Sequence, residues 1–252
     1  MIKFFRKIRQ KLLSENKFSK YLIYAVGEII LVVIGILIAL QVNNQNQIKN
    51  EKKALKSYLE KIAINVKSDI KVAEFMIETR TQQSLLCAQA TELISKKDWS
   101  NQLKITNALF AMIIEQPLNF NRSGFESLKN SGYLQHLDDS EIEELIYNYY
   151  NSVDKVIFEE TSLQVWANDL DLELHKSGFF SKWLELEKRP NQKLREALGN
   201  YTDTLTEHKG NDIVLSILYR GFLFTAELTG FYEEQVTFGN ELLIAIENYN
   251  KK

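Results

Sequence analysis

The sequence predicts an all-α protein: an N-terminal transmembrane helix followed by an elongated antiparallel helical bundle. Three observations predict it. Turn formers are scarce, with 2 Pro and 10 Gly in 252 residues, against roughly 12 and 17 at average usage. Apolar residues recur at steps of three and four along most of the chain. One run, Tyr21–Val42, is apolar almost throughout, with Glu28 its only charge. Scarce turns exclude an all-β sandwich or barrel, which turns about every 8–12 residues. A composition of 45% hydrophobic and 25% charged residues excludes wholesale disorder.

Residues 1–20 are expected to form a cytoplasmic basic amphipathic leader. They hold seven Lys/Arg and one Glu, a net of +6, so −8 falls on the other 232 residues. Phe4, Phe5, Ile8, Leu12 and Leu13 sit among the cations, which suits a short helix on an anionic leaflet. The cations flank a span, so nucleic acid is not expected as a partner.

Residues 21–42 are expected to form the transmembrane helix. At about 1.5 Å per residue the run measures roughly 33 Å, enough for a hydrocarbon core of about 30 Å. A cleaved signal peptide has a shorter apolar region, about 7–15 residues, and small residues at its cut. Leu40, Gln41, Val42 and Asn43 follow Ala39, so an uncleaved signal anchor is expected. The cations lie before the span, and Asn43–Gln47 after it is neutral. The positive-inside rule therefore puts the N-terminus in the cytoplasm of an inner membrane and the C-terminal domain in the periplasm. Glu28 has two readings: a carboxylate near enough to the interface to be hydrated, or a polar contact with another transmembrane helix. Gly27, Gly35 and Ala39 would let such a helix approach closely.

Residues 43–252 are expected to form an extracytoplasmic helical bundle domain. Leu55, Leu59, Ile62, Val66, Ile70, Ala73 and Ile77 keep a helical period, with Leu86, Ala90 and Leu93 beyond, predicting a helix from about Asn46 to Lys97. A shorter helix fits Gln102–Gln116, stopped by Pro117. Ser123 and Glu126 read as a capping box opening a helix over 124–131, which Gly132 closes. Asp139 or Ser140 starts a long helix with the stripe Ile142, Leu145, Tyr149, Val153, Val156, Leu163, Trp166, Leu170 and Leu174, closed by Gly178. Phe179, Phe180, Trp183 and Leu184 follow less regularly up to Pro190, and residues 191–208 are weakly helical in pattern. The last helix opens at Gly210–Asn211 with a heptad seam of Ile217, Gly221, Phe224, Leu228, Phe231, Gln235, Phe238, Leu242, Ala245 and Tyr249. These stripes can be buried against each other or against a second copy.

No catalytic signature is present. His136, His175 and His208 lack a Glu three residues before them, so the bundle di-metal motif is missing. Asp171 and His175 read as a solvated pair. Cys87 is alone, a small hydrophobe with no thiolate partner. Glu159–Glu160 and Glu233–Glu234 are adjacent pairs, expected on a wet surface. Tyr147, Tyr149 and Tyr150 are expected to pack in a core, and Arg122 to be a loop residue beside a capped helix. No cofactor, metal or enzymatic activity is expected.

The opening FFRKIRQKLLSENKFSKYLIYAVGEIILVVIGILIALQVNNQN, with Gly27-Glu28-Ile29 inside the span and Ala39-Leu40-Gln41-Val42-Asn43-Asn44 at its exit, resembles an uncharacterised family of Bacteroidota membrane proteins. Gly124-Phe125-Glu126-Ser127-Leu128-Lys129-Asn130-Ser131-Gly132 is similar to a second segment of that family. Gln45 stands where members usually carry a Trp shortly after the Asn pair. The resemblance implies a single-pass membrane protein and supplies no activity. The expected role is protein interaction or scaffolding in the cell envelope. Membrane lipid and a protein partner or second copy are the expected contacts. The alternative is a sensory or accessory subunit that binds a small ligand in the bundle.

Overall fold

The computed structural model describes residues 18–98, 101–113, 118–137, 140–178 and 211–251. Among them there is no strand. The elements are α1 (Phe18–Ser95), α2 (Gln102–Ile113), α3 (Ser123–Ser131), a 3₁₀ turn (Tyr133–His136), α4 (Ser140–Lys176), α5 (Asn211–Tyr219), a π turn (Arg220–Phe224) and α6 (Thr225–Lys251). The all-α expectation holds. The leader up to residue 17, Pro117, the aromatic stretch Phe179–Leu184, Pro190, the 191–208 pattern and His208 lie outside the described residues.

The chain divides into two compact units, Met1–Lys56 and Ser57–Lys252. Helix α1 is a single element of 78 residues. It begins at Phe18 rather than near Asn46, because nothing in the polar stretch after Val42 breaks it. Gln47 there donates to Glu51 one turn on, at 2.9 Å. In the first unit the apolar residues from Leu22 to Val42 line all sides of the helix, and none of the most apolar window is buried. This helix is long and apolar enough to cross a membrane.

Helix α1 ends without glycine. Lys97 takes a left-handed backbone, φ 54°, while its N–H bonds Ile94 O and the Asp98 N–H bonds Leu93 O. These two bonds form a Schellman stop. A side chain in that conformation costs about 1–2 kcal/mol, so the composition gave no signal for it. Helices α3 and α4 end as expected, at Gly132 (φ 76°) and Gly178 (φ 82°).

In the second unit the three long stretches bury residues in unbroken alternation of four and three. Leu59, Ile62, Val66, Asp69, Ala73, Met76 and Arg80 do so on α1. On α4 they are Ile146, Tyr149, Val153, Val156, Glu160, Leu163, Ala167, Leu170 and Leu174. Across the π turn and α6 they are Gly221, Thr225, Leu228, Tyr232, Gln235, Gly239, Leu242, Ile246 and Tyr249. A 3.5-residue period keeps each seam facing its neighbours. The expected stripes depart from it by one position at several points. They put Ile77 in place of Met76, and Phe224, Phe231, Phe238 and Ala245 in place of Thr225, Tyr232, Gly239 and Ile246, while Ile70 is buried as expected with Asp69 beside it. In the fold Phe224 is 41% exposed and Tyr232 is fully buried. At Gly239 an added Cβ would come within 2.9 Å of Ile70 Cδ1 and 3.2 Å of a Tyr149 ring carbon, so the helices approach too closely there for Phe238's ring.

Contacts fix the directions. Ala73 and Met76 pack with Val156, Leu163, Leu228 and Tyr232. Cys87, Ala90 and Ile94 pack with Leu170, Leu174, Val214 and Ile217. Numbers rise together along α1 and α4 and fall along α5–α6. So α5–α6 is antiparallel to both, and α1 and α4 run the same way. The crossing α2–α3 carries the chain back between them: Ile105, Ala108, Leu109 and Met112 of α2 belong to the Cys87–Ile94 end, whereas Gly124 of α3 meets Asn65. The α5–α6 stretch is also long and apolar enough to cross a membrane, but its buried residues form this seam and 39% of its apolar window is buried.

Candidate functional site

Polar side chains occupy the seams, and each described bond has a purpose. The return crossing contains the non-helical segment 118–122, whose backbone N–H groups find no partner within a helix. A buried N–H without a partner costs about as much as a lost hydrogen bond. Leu118 N donates to Glu160 Oε2 (3.0 Å), Asn121 N to Asp69 Oδ1 (3.2 Å) and Gly124 N to Asn65 Oδ1 (2.9 Å). The acceptors are held in turn. Tyr232 OH donates to Glu160 Oε1. Tyr149 OH donates to Asp69 Oδ2 (3.1 Å) and accepts from Gln235 Nε2 (3.1 Å).

The C-terminal end of α2 is tied the same way, by donors meeting its last carbonyls. Gln83 Nε2 donates to Ala111 O (3.0 Å), and Arg220 Nη2 to Met112 O (2.6 Å). Arg220 belongs to the π turn and is fully buried. That turn leaves a carbonyl outside the α-helical ladder, and Ser84 Oγ donates to Phe222 O (3.0 Å). Gly221 gives the turn its close seat: a Cβ there would lie 2.4 Å from Cys87 Sγ.

Burial sets the proton affinities. The Asp69 carboxyl is raised above its ordinary range by desolvation, against the lowering bonds from Asn121 N–H and Tyr149 OH. Burial likewise raises the phenols of Tyr149, Tyr150 and Tyr232. It pushes the Cys87 thiol up to about 12, with Arg220 pulling the other way. The three phenols and the thiol stay protonated at neutral pH and act as donors or apolar filling, while Asp69 serves as an acceptor for Asn121 N–H and Tyr149 OH.

Other expected features resolve plainly. The capping box does not form: α3 is entered from Arg122, which makes no side-chain cap bond. Asn121 Oδ1 accepts from Ser123 N (3.1 Å) and Ser123 Oγ instead. Arg122 is engaged by Asp154 through two bonds, one of 3.1 Å, and lies over the Tyr150 ring. Tyr149 and Tyr150 are core residues, with Phe125 stacked on Tyr150 at 4.2 Å, while Tyr147 is exposed. Glu160 corrects the expectation of a wet acidic pair. Helical neighbours point about 100° apart, so Glu160 turns inward while Glu159 stays at the surface. Glu234 pairs with Lys155. Among the described residues no three His, Cys, Asp or Glu groups converge on a metal position.

In the first unit Gly27, Gly35 and Ala39 are exposed and Glu28 is half-buried. On a continuous helix Glu28, Gly35 and Ala39 share one face, and Gly27 lies about a quarter turn away. A Cβ on Gly27 or Gly35 would meet nothing within 4 Å.

A groove opens between α4 and the start of α6. It encloses about 200 Å³ and is lined by Trp166, Phe224, Leu228, Phe231, Glu159 and Glu227, among others. Trp166 and Phe224 meet edge-to-face at 4.8 Å and 88°. The expected core aromatics of this face, Phe224 and Phe231, therefore wall a concave surface. No family model matches the chain, and no curated protein or solved structure matches it either.

Proposed function

We propose that the chain is a membrane-anchored helical-bundle protein of the cell envelope that acts by protein interaction or scaffolding. Residues 21–42 span the inner membrane with the N-terminus cytoplasmic, and the bundle lies in the periplasm, where it meets another envelope protein or a second copy. One observation carries the anchoring: from Leu22 to Val42 the large aliphatic side chains are exposed all round the helix. Soluble proteins rarely leave an apolar patch above a few hundred Å² in water, whereas lipid accepts it. The cations before the span support the orientation. The interaction role is supported by Phe158, Val165 and Leu172, an exposed stripe at seven-residue spacing on α4. It is also supported by the seam chemistry, in which the buried carboxylates and phenols described are spent on holding the fold.

Alkaline phosphatase fused to the C-terminus tests the reading directly. Activity in intact cells, with the chain retained in carbonate-washed membranes, is the expected result. A silent fusion or release by carbonate overturns it. In-cell crosslinking of the full chain then distinguishes a second copy from another protein.

A further inference from the structure

We propose that the groove between α4 and α6 is a binding site for a small organic ammonium ion. Its walls are negative in two ways. Trp166, Phe224 and Phe231 line it, and aromatic rings attract cations through the quadrupole of the π system. Glu159 reaches it from α4 and Glu227 from α6, and among the described residues neither carboxylate is met by a cation. The charge on Glu159 and Glu227 is left for an incoming cation, and Lys155 at the groove's edge shows the geometry that would hold one. Lys155, one turn before Glu159, places its ammonium 4.7 Å from the centre of the Phe231 ring and 2.9 Å from Glu234 Oε2. That is an ammonium held between an aromatic face and a carboxylate, on the ring that also lines the groove.

A volume of about 200 Å³ suits a head group of several heavy atoms better than a folded partner. Leu163 and Leu228 at the floor are buried, so alkyl groups on the nitrogen gain apolar contact while its charge faces the carboxylates. The same carboxylates repel an anion, so a cation carrying a phosphate beside it is disfavoured. The site lies wholly in the second unit and is independent of membrane anchoring.

The test is ligand-observed NMR titration of the full chain in maltoside micelles, with choline, its neutral isostere 3,3-dimethylbutan-1-ol, and glycerophosphocholine. Choline is expected to bind at least about tenfold tighter than the isostere, and at least about fivefold tighter than glycerophosphocholine. The variants E159Q/E227Q and F224L should each weaken choline at least about fivefold while keeping the wild-type melting curve. Absent choline binding, equal affinity for the isostere, or an unchanged constant in both variants overturns the proposal. Glycerophosphocholine binding as tightly as choline also overturns it, in favour of a lipid head group. If F224L unfolds, E159Q/E227Q decides alone, since both acids reach the groove from the surface.

Discussion

One helix is used in two opposite ways. Between Leu22 and Val42, α1 has apolar side chains in every direction and exposes them. Between Leu59 and Ile94 the same helix confines its buried residues to one seam and admits Asp69 and Arg80 there. Backbone geometry is common to both stretches, so the difference lies in what surrounds them. An all-round apolar surface needs an apolar solvent. A one-sided seam needs other helices, and it tolerates polar groups where those groups have partners. The contrast teaches that the polar residues of the seam serve as internal stitching, whereas the long apolar run is a candidate membrane span.

Charging the first stretch should have the largest effect. The double variant Val33→Arg/Leu37→Arg places two cations mid-span, at about 2.5–3.5 kcal/mol each on insertion scales. Most of the chain should leave the membrane fraction on carbonate washing. Retention would break the distinction between the stretches.

A matched pair of truncations comes next. Ile146→Ala removes a fully buried seam residue and should cost about 2–5 kcal/mol in bundle stability by chemical denaturation. Ile34→Ala, made where the side chain is exposed, should leave bundle unfolding unchanged. Equal losses would show that the span is packed in protein.

Cutting one stitch should cost less. Tyr149→Phe removes the donor to Asp69 and the acceptor of Gln235, and should destabilise the bundle by about 1–3 kcal/mol. It should also speed hydrogen exchange at the Asn121 N–H, which bonds the other oxygen of Asp69. A loss confined to global stability, with unchanged exchange at Asn121, would count against the role of the seam in holding segment 118–122.

Asp69 gives a smaller, pH-resolved effect. Its folded carboxyl titrates above the unfolded value because burial dominates. Between the two values the folded state holds the extra proton, so this contribution is present below the ordinary carboxylate pH of about 4 and is lost as pH rises through the folded value. Asp69→Asn cannot titrate. The Tm deficit of Asp69→Asn relative to wild type should therefore be widest in acid and narrow toward pH 7. A deficit that widens with pH would reverse the sign.

The mildest test concerns Cys87. Its thiol is buried and pushed up to about 12, so iodoacetamide should label the native chain far more slowly than the unfolded one. Rapid native labelling would place that end of the bundle among readily opened regions.

The sequence by itself determined the helical class, the apolar run, the stops at Gly132 and Gly178, and most of the buried aliphatic positions. Scarce turn formers, a long apolar stretch and glycine's tolerance of positive φ are local properties, readable without neighbours. Only the tertiary structure decided which residue of an adjacent pair faces inward, as with Glu160 beside Glu159 and Tyr232 beside Phe231, and that Asp69 is buried together with Ile70. Hydrophobicity ranks Phe231 above Tyr232, cannot rank two glutamates and gives no reason to bury Asp69, because the selecting force is not transfer to an apolar core. It is the demand of the backbone N–H groups at Leu118 and Asn121 for acceptors, and that demand exists only once the return crossing lies against the long helices. The groove beside Trp166 arises from the same rotation: with Tyr232 and Thr225 inward, Phe231 and Phe224 are left to form its walls.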